Sequence, residues 1–79
     1  MENISSERMY EWLGAVGYLM ISGEGCFVEN DYGDCVRVGD MCAGRYEKYD
    51  RNNEFCGVVD SAAEAVLWLY ENNKPDEEF

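Results

Sequence analysis

The sequence contains no histidine, one proline and only six lysine and arginine residues among 79. The absence of histidine excludes Ser-His-Asp triads, Cys-His nucleophilic pairs, histidine metal ligands and histidine pH switches. Phosphate-binding loops are excluded as well, because no Gly-Lys-Ser or Gly-Lys-Thr occurs and the glycines never fall as GxGxxG. We therefore expect no enzyme, no catalytic residues and no cofactor.

A basic segment followed by a long apolar run is also missing at the amino terminus, where Met1 is followed by Glu2. This start predicts neither a signal peptide nor a membrane span, so we expect a cytoplasmic protein with reduced thiols. Its acidity argues against direct binding to nucleic acid or to anionic lipid, since both carry the same sign of charge.

Negative charge and aromatic side chains are abundant. Seventeen Asp and Glu residues bring the formal net charge to −11, while 47% of the residues are apolar and 14% are aromatic. This apolar content exceeds that of disordered chains, and a chain so short cannot divide it between two cores. The sequence predicts one small domain spanning residues 1–79, with a disordered acidic tail at 76–79.

The clearest helix signal lies in the last third of the chain. Ser61 precedes Glu64 by three residues, which is a capping box, so a helix should begin at Ala62. Apolar residues then recur at helical spacing, and the segment 72–75 should end the helix.

An amino-terminal helix is also predicted, with Ser5 or Ser6 as its cap. Its apolar face would carry Met9, Trp12, Leu13 and Val16. Glycine disfavours a helix interior, which favours an end near Gly14 with residues 18–22 extended, but the sequence leaves this boundary open.

Four β-prone runs lie between the two helices, at residues 26–28, 35–38, 46–49 and 55–59. Turn-forming residues separate them at 30–33, 39–40 and 50–53. The pattern predicts an α+β fold, in which an antiparallel meander of three or four strands packs against the capped carboxyl-terminal helix, joined by the amino-terminal helix.

Four cysteines allow three interpretations: metal ligands, disulfide partners, or small apolar residues with free thiols. They are Cys26, Cys35, Cys42 and Cys56. No CxxC pair is present, which argues against zinc. Cys26 and Cys35 flank the first predicted hairpin and could face each other across it. A reducing compartment favours the third interpretation, buried or half-buried free thiols on the sheet.

The carboxylates are scattered along the chain, which predicts a solvated surface rather than a paired acid-base site. The segment 30–34 has oxygen-bearing side chains but lacks the alternating ligands and distal glutamate of a calcium loop. We interpret it as a hairpin turn and expect no metal.

Six tyrosines and two tryptophans exceed the needs of so small a core. At least three of Trp12, Phe55, Trp68 and Tyr70 should form that core. Tyr32, Tyr46 and Tyr49 lie beside charged turns, where exposure is expected. Amphipathic rings next to carboxylates suit a surface that binds a basic protein. The predicted partner-binding residues are Glu29, Asp31, Tyr32, Asp34, Glu47, Tyr49, Asp50 and Glu54.

The predicted meander is followed by the capped segment Val58-Val59-Asp60-Ser61-Ala62-Ala63-Glu64-Ala65-Val66. In this arrangement, and in its size, acidity and lack of catalytic residues, the chain resembles small phage-encoded anti-CRISPR proteins. The resemblance implies a stoichiometric inhibitor in the bacterial host cytoplasm. Its acidic surface would act as a DNA mimic in a Lys- and Arg-lined groove, such as that of a CRISPR-Cas complex. The main alternative is an acidic adaptor or subunit of another assembly, and a small enzyme or metal-binding protein is the third hypothesis. A homodimer through a sheet edge stays open.

Overall fold

The structure is a computed structural model that describes residues 6–22, 26–38 and 45–75. Its elements, in chain order, are α1 (Ser6–Ser22), β1 (Phe27–Glu29), β2 (Cys35–Val38), β3 (Tyr46–Tyr49), β4 (Phe55–Val59) and α2 (Ala62–Glu71). The strands form one antiparallel sheet in the order β1-β2-β3-β4. Both helices pack on the same face of this sheet. The predicted α+β meander is confirmed.

Helix α2 begins at Ala62, as its capping box predicts. The Ser61 hydroxyl accepts a hydrogen bond from the Glu64 backbone N–H at 3.2 Å, and the Glu64 carboxylate accepts one from the Asp60 N–H at 3.1 Å. The first turn is thereby closed from both sides. At the other end, the Asn72 N–H donates to the Trp68 carbonyl.

Helix α1 continues through Gly14 and Gly17 to Ser22, so it does not end near Gly14, the boundary that its glycines favour. Val16 and Leu19 explain the difference, because both are buried in the core and extend the apolar face of the helix by a further turn. Burying two aliphatic side chains contributes about 1.5–3 kcal/mol each, which outweighs a cost of about 1 kcal/mol for each glycine.

The two glycines of α1 yield a stability prediction. A Cβ added at Gly14 or Gly17 would meet no atom within 4 Å in the described chain, and neither residue has a positive φ. We expect Gly14→Ala and Gly17→Ala each to raise the free energy of unfolding by up to about 1 kcal/mol.

Gly57→Ala is the opposite control, because Gly57 has a φ of 106° at a bulge in β4. This variant should lower the free energy of unfolding by about 1 kcal/mol or more. Urea denaturation of dilute protein measures all of these values. A loss of stability in Gly14→Ala would contradict the open surroundings of that residue.

The core joins α1, the sheet and α2. Its buried members are Trp12, Val16, Leu19, Val36, Tyr46, Ala65, Val66 and Leu69. Trp68 and Tyr70 pack against this cluster, which confirms three of the four aromatic residues expected there. Phe55 is the exception, with 58% exposure on the opposite face of the sheet.

Tyr46 was expected at the surface, and that expectation is wrong. Strand alternation places it on the helix-covered face, opposite Val38 and Val59, where 4% of it is exposed. Burial raises the pKa of its hydroxyl.

The described cysteines, Cys26, Cys35 and Cys56, have free thiols. Cys35 is half-buried on the sheet, as predicted, but Cys26 and Cys56 are exposed, so the prediction of buried or half-buried thiols is wrong for these two. The strand register places Glu29 opposite Cys35, so the possible disulfide from Cys26 to Cys35 is not formed. Burial and the nearby Glu29 carboxylate raise the pKa of the Cys35 thiol. Cys42, the turn at 39–40 and the tail at 76–79 lie outside the described residues.

Candidate functional site

The meander brings its first and third turns to the same end of the sheet, because successive strands alternate in direction. The β1–β2 turn spans residues 30–34 and the β3–β4 turn spans residues 50–54. The carboxylates there that are exposed or half-exposed are Glu29, Asp31, Asp50 and Glu54. We call these four residues the acidic end.

The β1–β2 turn is a three-residue loop closed by a hydrogen bond from the Asn30 N–H to the Asp34 carbonyl at 2.9 Å. Gly33 has a φ of 101°, the left-handed conformation that the third loop position requires. The Asn30 side-chain oxygen accepts from the N–H groups of Tyr32 and Asp34, at 2.9 and 3.1 Å. Tyr32 is exposed, and the Arg51 guanidinium of the other turn lies 5.1 Å from the centre of its ring.

The β3–β4 turn has the same design. The Asp50 N–H donates to the Glu54 carbonyl at 3.0 Å, and Asn53 supplies the left-handed residue with a φ of 68°. One carboxylate oxygen of Asp50 accepts from the N–H groups of Asn52 and Glu54, both at 2.9 Å. The carboxylate thus stabilises the turn that presents it.

A buried ion pair joins the two turns. The Asp34 carboxylate accepts from the Arg51 backbone N–H and guanidinium, both at 2.8 Å, and from the Asn30 side chain at 2.9 Å. The same guanidinium donates to the Asn72 carbonyl at the end of α2, at 2.6 Å. Asp34 is 2% exposed, so it holds the fold together rather than forming the exposed partner contact that the sequence predicted.

The ionisation of Asp34 reflects two opposing effects. Burial is the larger single effect and raises its pKa, but the hydrogen bonds from Arg51 and Asn30 together exceed it. The net result is a pKa below the ordinary value, so Asp34 is charged at neutral pH.

Asp31 forms the corresponding contact at the surface. Its carboxylate pairs with the Arg8 guanidinium of α1, and its backbone N–H donates to the Asn73 side chain at 2.8 Å. The hydrogen bond from Arg8 lowers the pKa of Asp31 despite some burial. Asp31 is therefore exposed but held in place by both helices.

The face of the sheet away from the helices, here the outer face, has no cover among the described elements. Its side chains form two cross-strand rows, Phe27-Arg37-Glu47-Val58 and Glu29-Cys35-Tyr49-Phe55. Phe27 and Phe55 are both more than half exposed.

A polar cluster occupies the middle of the outer face. The Arg37 guanidinium lies 4.2 Å from the centre of the Tyr49 ring and 3.4 Å from the Glu47 carboxylate. The Tyr49 hydroxyl donates to the same carboxylate oxygen at 2.9 Å. Glu47 and Tyr49, both predicted to bind a partner, are thus half-buried on the outer face, where both contact Arg37.

The electrostatic field of the acidic end comes from carboxylates without an arginine partner. Each of the four arginines forms a salt bridge: Arg8 with Asp31, Arg37 with Glu47, Arg45 with Asp60, and Arg51 with Asp34. Within the described ranges, no salt bridge involves Glu29, Asp50 or Glu54. These three carboxylates are the strongest candidates for contact with a basic partner.

The structure gathers the predicted residues closely. Seven of the eight lie at or next to the two turns, and Glu47 lies further along the outer face. Sequence reasoning missed Arg51, since its pairing with Asp34 spans 17 positions without a local signal. The exposure of Phe27 on the outer face could have been predicted, because neighbouring residues of a strand point to opposite faces and Val28 packs against the core.

Comparison with known protein families, with curated proteins and with solved structures found no match. In residues 6–22, 26–38 and 45–75, no three Cys, Asp or Glu side chains are grouped as a metal ion would require. Neither described helix has the length and apolar character needed to cross a bilayer.

Proposed function

We propose that the protein is a non-enzymatic, stoichiometric inhibitor that binds a basic nucleic-acid-binding protein or ribonucleoprotein through its acidic end. Bound there, it would prevent the partner from holding nucleic acid. The observation that carries the proposal is the convergence of two carboxylate-bearing turns at one end of the sheet, with the exposed Tyr32 between them.

The grouping of the carboxylates at the acidic end supports mimicry of a nucleic acid. The two hairpins lie two strand spacings apart, about 10 Å, so their carboxylates act as one negatively charged surface. A groove that attracts phosphates with Lys and Arg attracts such a surface through the same electrostatic field.

The rigidity of the turns also supports the proposal. Asp50 is fixed by the backbone of its own turn, and Asp31 by Arg8 and Asn73. Carboxylates that are ordered before binding lose little entropy when a partner contacts them. A CRISPR-Cas complex is the target class that the resemblance to anti-CRISPR proteins implies.

The test is affinity capture by the tagged protein from nuclease-treated bacterial lysate at low and high salt, followed by a competition assay. We expect a basic nucleic-acid-binding protein to be retained at low salt and released at high salt. Adding the protein should then displace nucleic acid from the purified partner at equimolar concentration. A partner that binds nucleic acid equally well in its presence would overturn the inhibitor proposal.

A second candidate, an adaptor or subunit of another assembly, is favoured by the outer face. Phe27 and Phe55 are exposed there on either side of Arg37 and Tyr49, a combination of rings and arginine common in protein interfaces. An adaptor would form a complex that resists high salt and leaves the partner's nucleic-acid binding unchanged.

A further inference from the structure

Helix α1 has a second apolar face in addition to the one buried in the core. Tyr10 and Ile21 are 73% and 78% exposed, and Leu13 and Tyr18 are also exposed. From Trp12 to Ser22 the helix has no Asp, Glu, Lys or Arg, although the chain has a net charge of −11. Tyr10 and Leu13 border a groove whose other wall is formed by Ala63, Val66 and Leu67 of α2. Tyr18 and Ile21 are exposed beyond it. A charge-free helix face on so acidic a protein indicates contact with another apolar surface.

The residues of this face are arranged symmetrically. The symmetric set is Tyr10, Leu13, Gly14, Gly17, Tyr18 and Ile21, which lie within an arc of about 140° around the helix axis. Met20, 39% exposed, adjoins Leu13 just outside this arc, where the mirrored position is Glu11, and Glu7 lies within the arc one turn before Tyr10. Large residues stand at both ends and small ones in the middle. Three pairs lie at equal distances on either side of the midpoint between Ala15 and Val16: Gly14 and Gly17, Leu13 and Tyr18, and Tyr10 and Ile21.

We propose that this face binds a second copy of the chain, with the two α1 helices packed antiparallel about a two-fold axis. A two-fold interface requires a surface that is complementary to itself, and a pattern symmetric about its midpoint meets that requirement. Tyr10 of one copy then packs on Ile21 of the other, and Gly14 on Gly17. Leu13 and Tyr18 lie on the two flanks, each next to its own counterpart.

The two glycines support a helix-to-helix contact. Nothing in the described chain lies within 4 Å of a Cβ built at Gly14 or Gly17, so the packing of a single copy does not require them. Because the glycines place no side chains at the crossing point, the two helix axes can approach to about 8 Å, the shortest interaxial distance that is usual for packed helices. Tyr10 and Ile21 then pack over the flanking turns.

The charge distribution favours the antiparallel arrangement. Arg8 binds Asp31, so the start of α1 lies beside the acidic end. An antiparallel pair places the two acidic ends at opposite ends of the dimer, where repulsion is smallest, whereas a parallel pair would bring them together. Both acidic ends remain accessible, so this inference does not depend on the proposed function.

The test is the molar mass of the full chain by sedimentation equilibrium, from about 1 µM to about 500 µM protein. We expect the mass to rise from the monomer value of 9.1 kDa toward twice that value, and at lower concentration when salt is added. A mass that stays at the monomer value over the whole range at high salt would overturn the proposal.

Two matched variants locate the interface. Ile21→Glu and Phe55→Glu each replace an exposed apolar residue by a charge, on α1 and on the outer face of the sheet respectively. Ile21→Glu should raise the dimer dissociation constant at least about tenfold, and Phe55→Glu should leave it within about twofold. Equal weakening by both would show that dimerisation responds to the added charge and not to a contact on α1, which would overturn the proposal. Circular dichroism confirms that each variant is folded.

A rescue experiment tests the antiparallel register. Tyr10 and Ile21 are 11 residues apart on one helix, too far for contact within a copy, but the proposed dimer brings them together. Adding Tyr10→Lys to Ile21→Glu should restore dimerisation to within about threefold of the original chain, because the new charges pair between copies. A double variant weaker than Ile21→Glu alone would contradict this register.

Discussion

The variant Asp34→Ala is expected to be largely unfolded at room temperature. Asp34 is 2% exposed and accepts hydrogen bonds from Arg51 and Asn30, so its removal leaves the Arg51 guanidinium partly buried without its main counter-charge. Breaking a buried ion pair on one side typically costs about 3–5 kcal/mol. A domain of this size has a total stability of about the same magnitude.

Asp31→Ala is the matched control, since it removes an Asp–Arg pair from the same turn, but at the surface. Its side chain and that of Arg8 are both about two-fifths exposed, and exposed pairs contribute at most about 1 kcal/mol. Urea denaturation followed by far-ultraviolet circular dichroism compares the two variants. Similar losses in the free energy of unfolding for both variants would show that the buried Asp34 pair stabilises the fold no more than the exposed Asp31 pair does.

A milder variant, Asp34→Asn, tests the charge alone if Asp34→Ala does not fold. Because the pKa of Asp34 is lower in the folded than in the unfolded chain, the unfolded chain takes up the proton first as the pH falls. The stability that Asp34 provides is therefore fully present above about pH 4 and is lost below it. Asp34→Asn should be less stable at neutral pH and lose less stability between neutral and acidic pH than the original chain.

The elements that were predicted correctly are those with local signals. The start of α2 follows from Ser61 and Glu64, and the β1–β2 turn from residues 30–33, because a few neighbouring residues determine each. The end of α1 could not be predicted, because glycine propensity is local, whereas the burial of Val16 and Leu19 depends on the tertiary structure. Core packing overrides helix propensity wherever burial contributes more free energy than the unfavourable propensity costs.

The candidate site shows the same division between local and long-range information. Acidic turns at 30–34 and 50–54 could be predicted from composition, and the strand order then places them at one end of the sheet. Which carboxylate would be buried could not be predicted. Asp34 and Asp50 both adjoin turns, so their local sequences are alike. Asp34 is buried because it pairs with Arg51, which follows the neighbouring strand β3.

The neutral double variant Asp50→Asn, Glu54→Gln is expected to bind its captured basic partner at least about a hundredfold more weakly at physiological salt. Each close charge pair across an interface contributes about 1.5 kcal/mol or more, and two would be lost. The dependence of affinity on salt should also become shallower, since fewer ions are released on binding. The amide introduced by Asp50→Asn keeps the oxygen that accepts from the backbone of the turn, so the turn should persist.

Asp60→Asn, Glu64→Gln is the matched control, with the same residue types and the same change of net charge. These residues follow β4 at the opposite end of the sheet from the acidic end, and the amide introduced by Glu64→Gln keeps an oxygen that can accept the capping hydrogen bond. Five strand residues separate the two sites by about 15 Å, beyond the screening length of about 8 Å at physiological salt. The control should therefore bind within about twofold of the original chain. Equal weakening by both double variants would mean that the partner responds to the net charge of the protein and that the acidic end is not the contact.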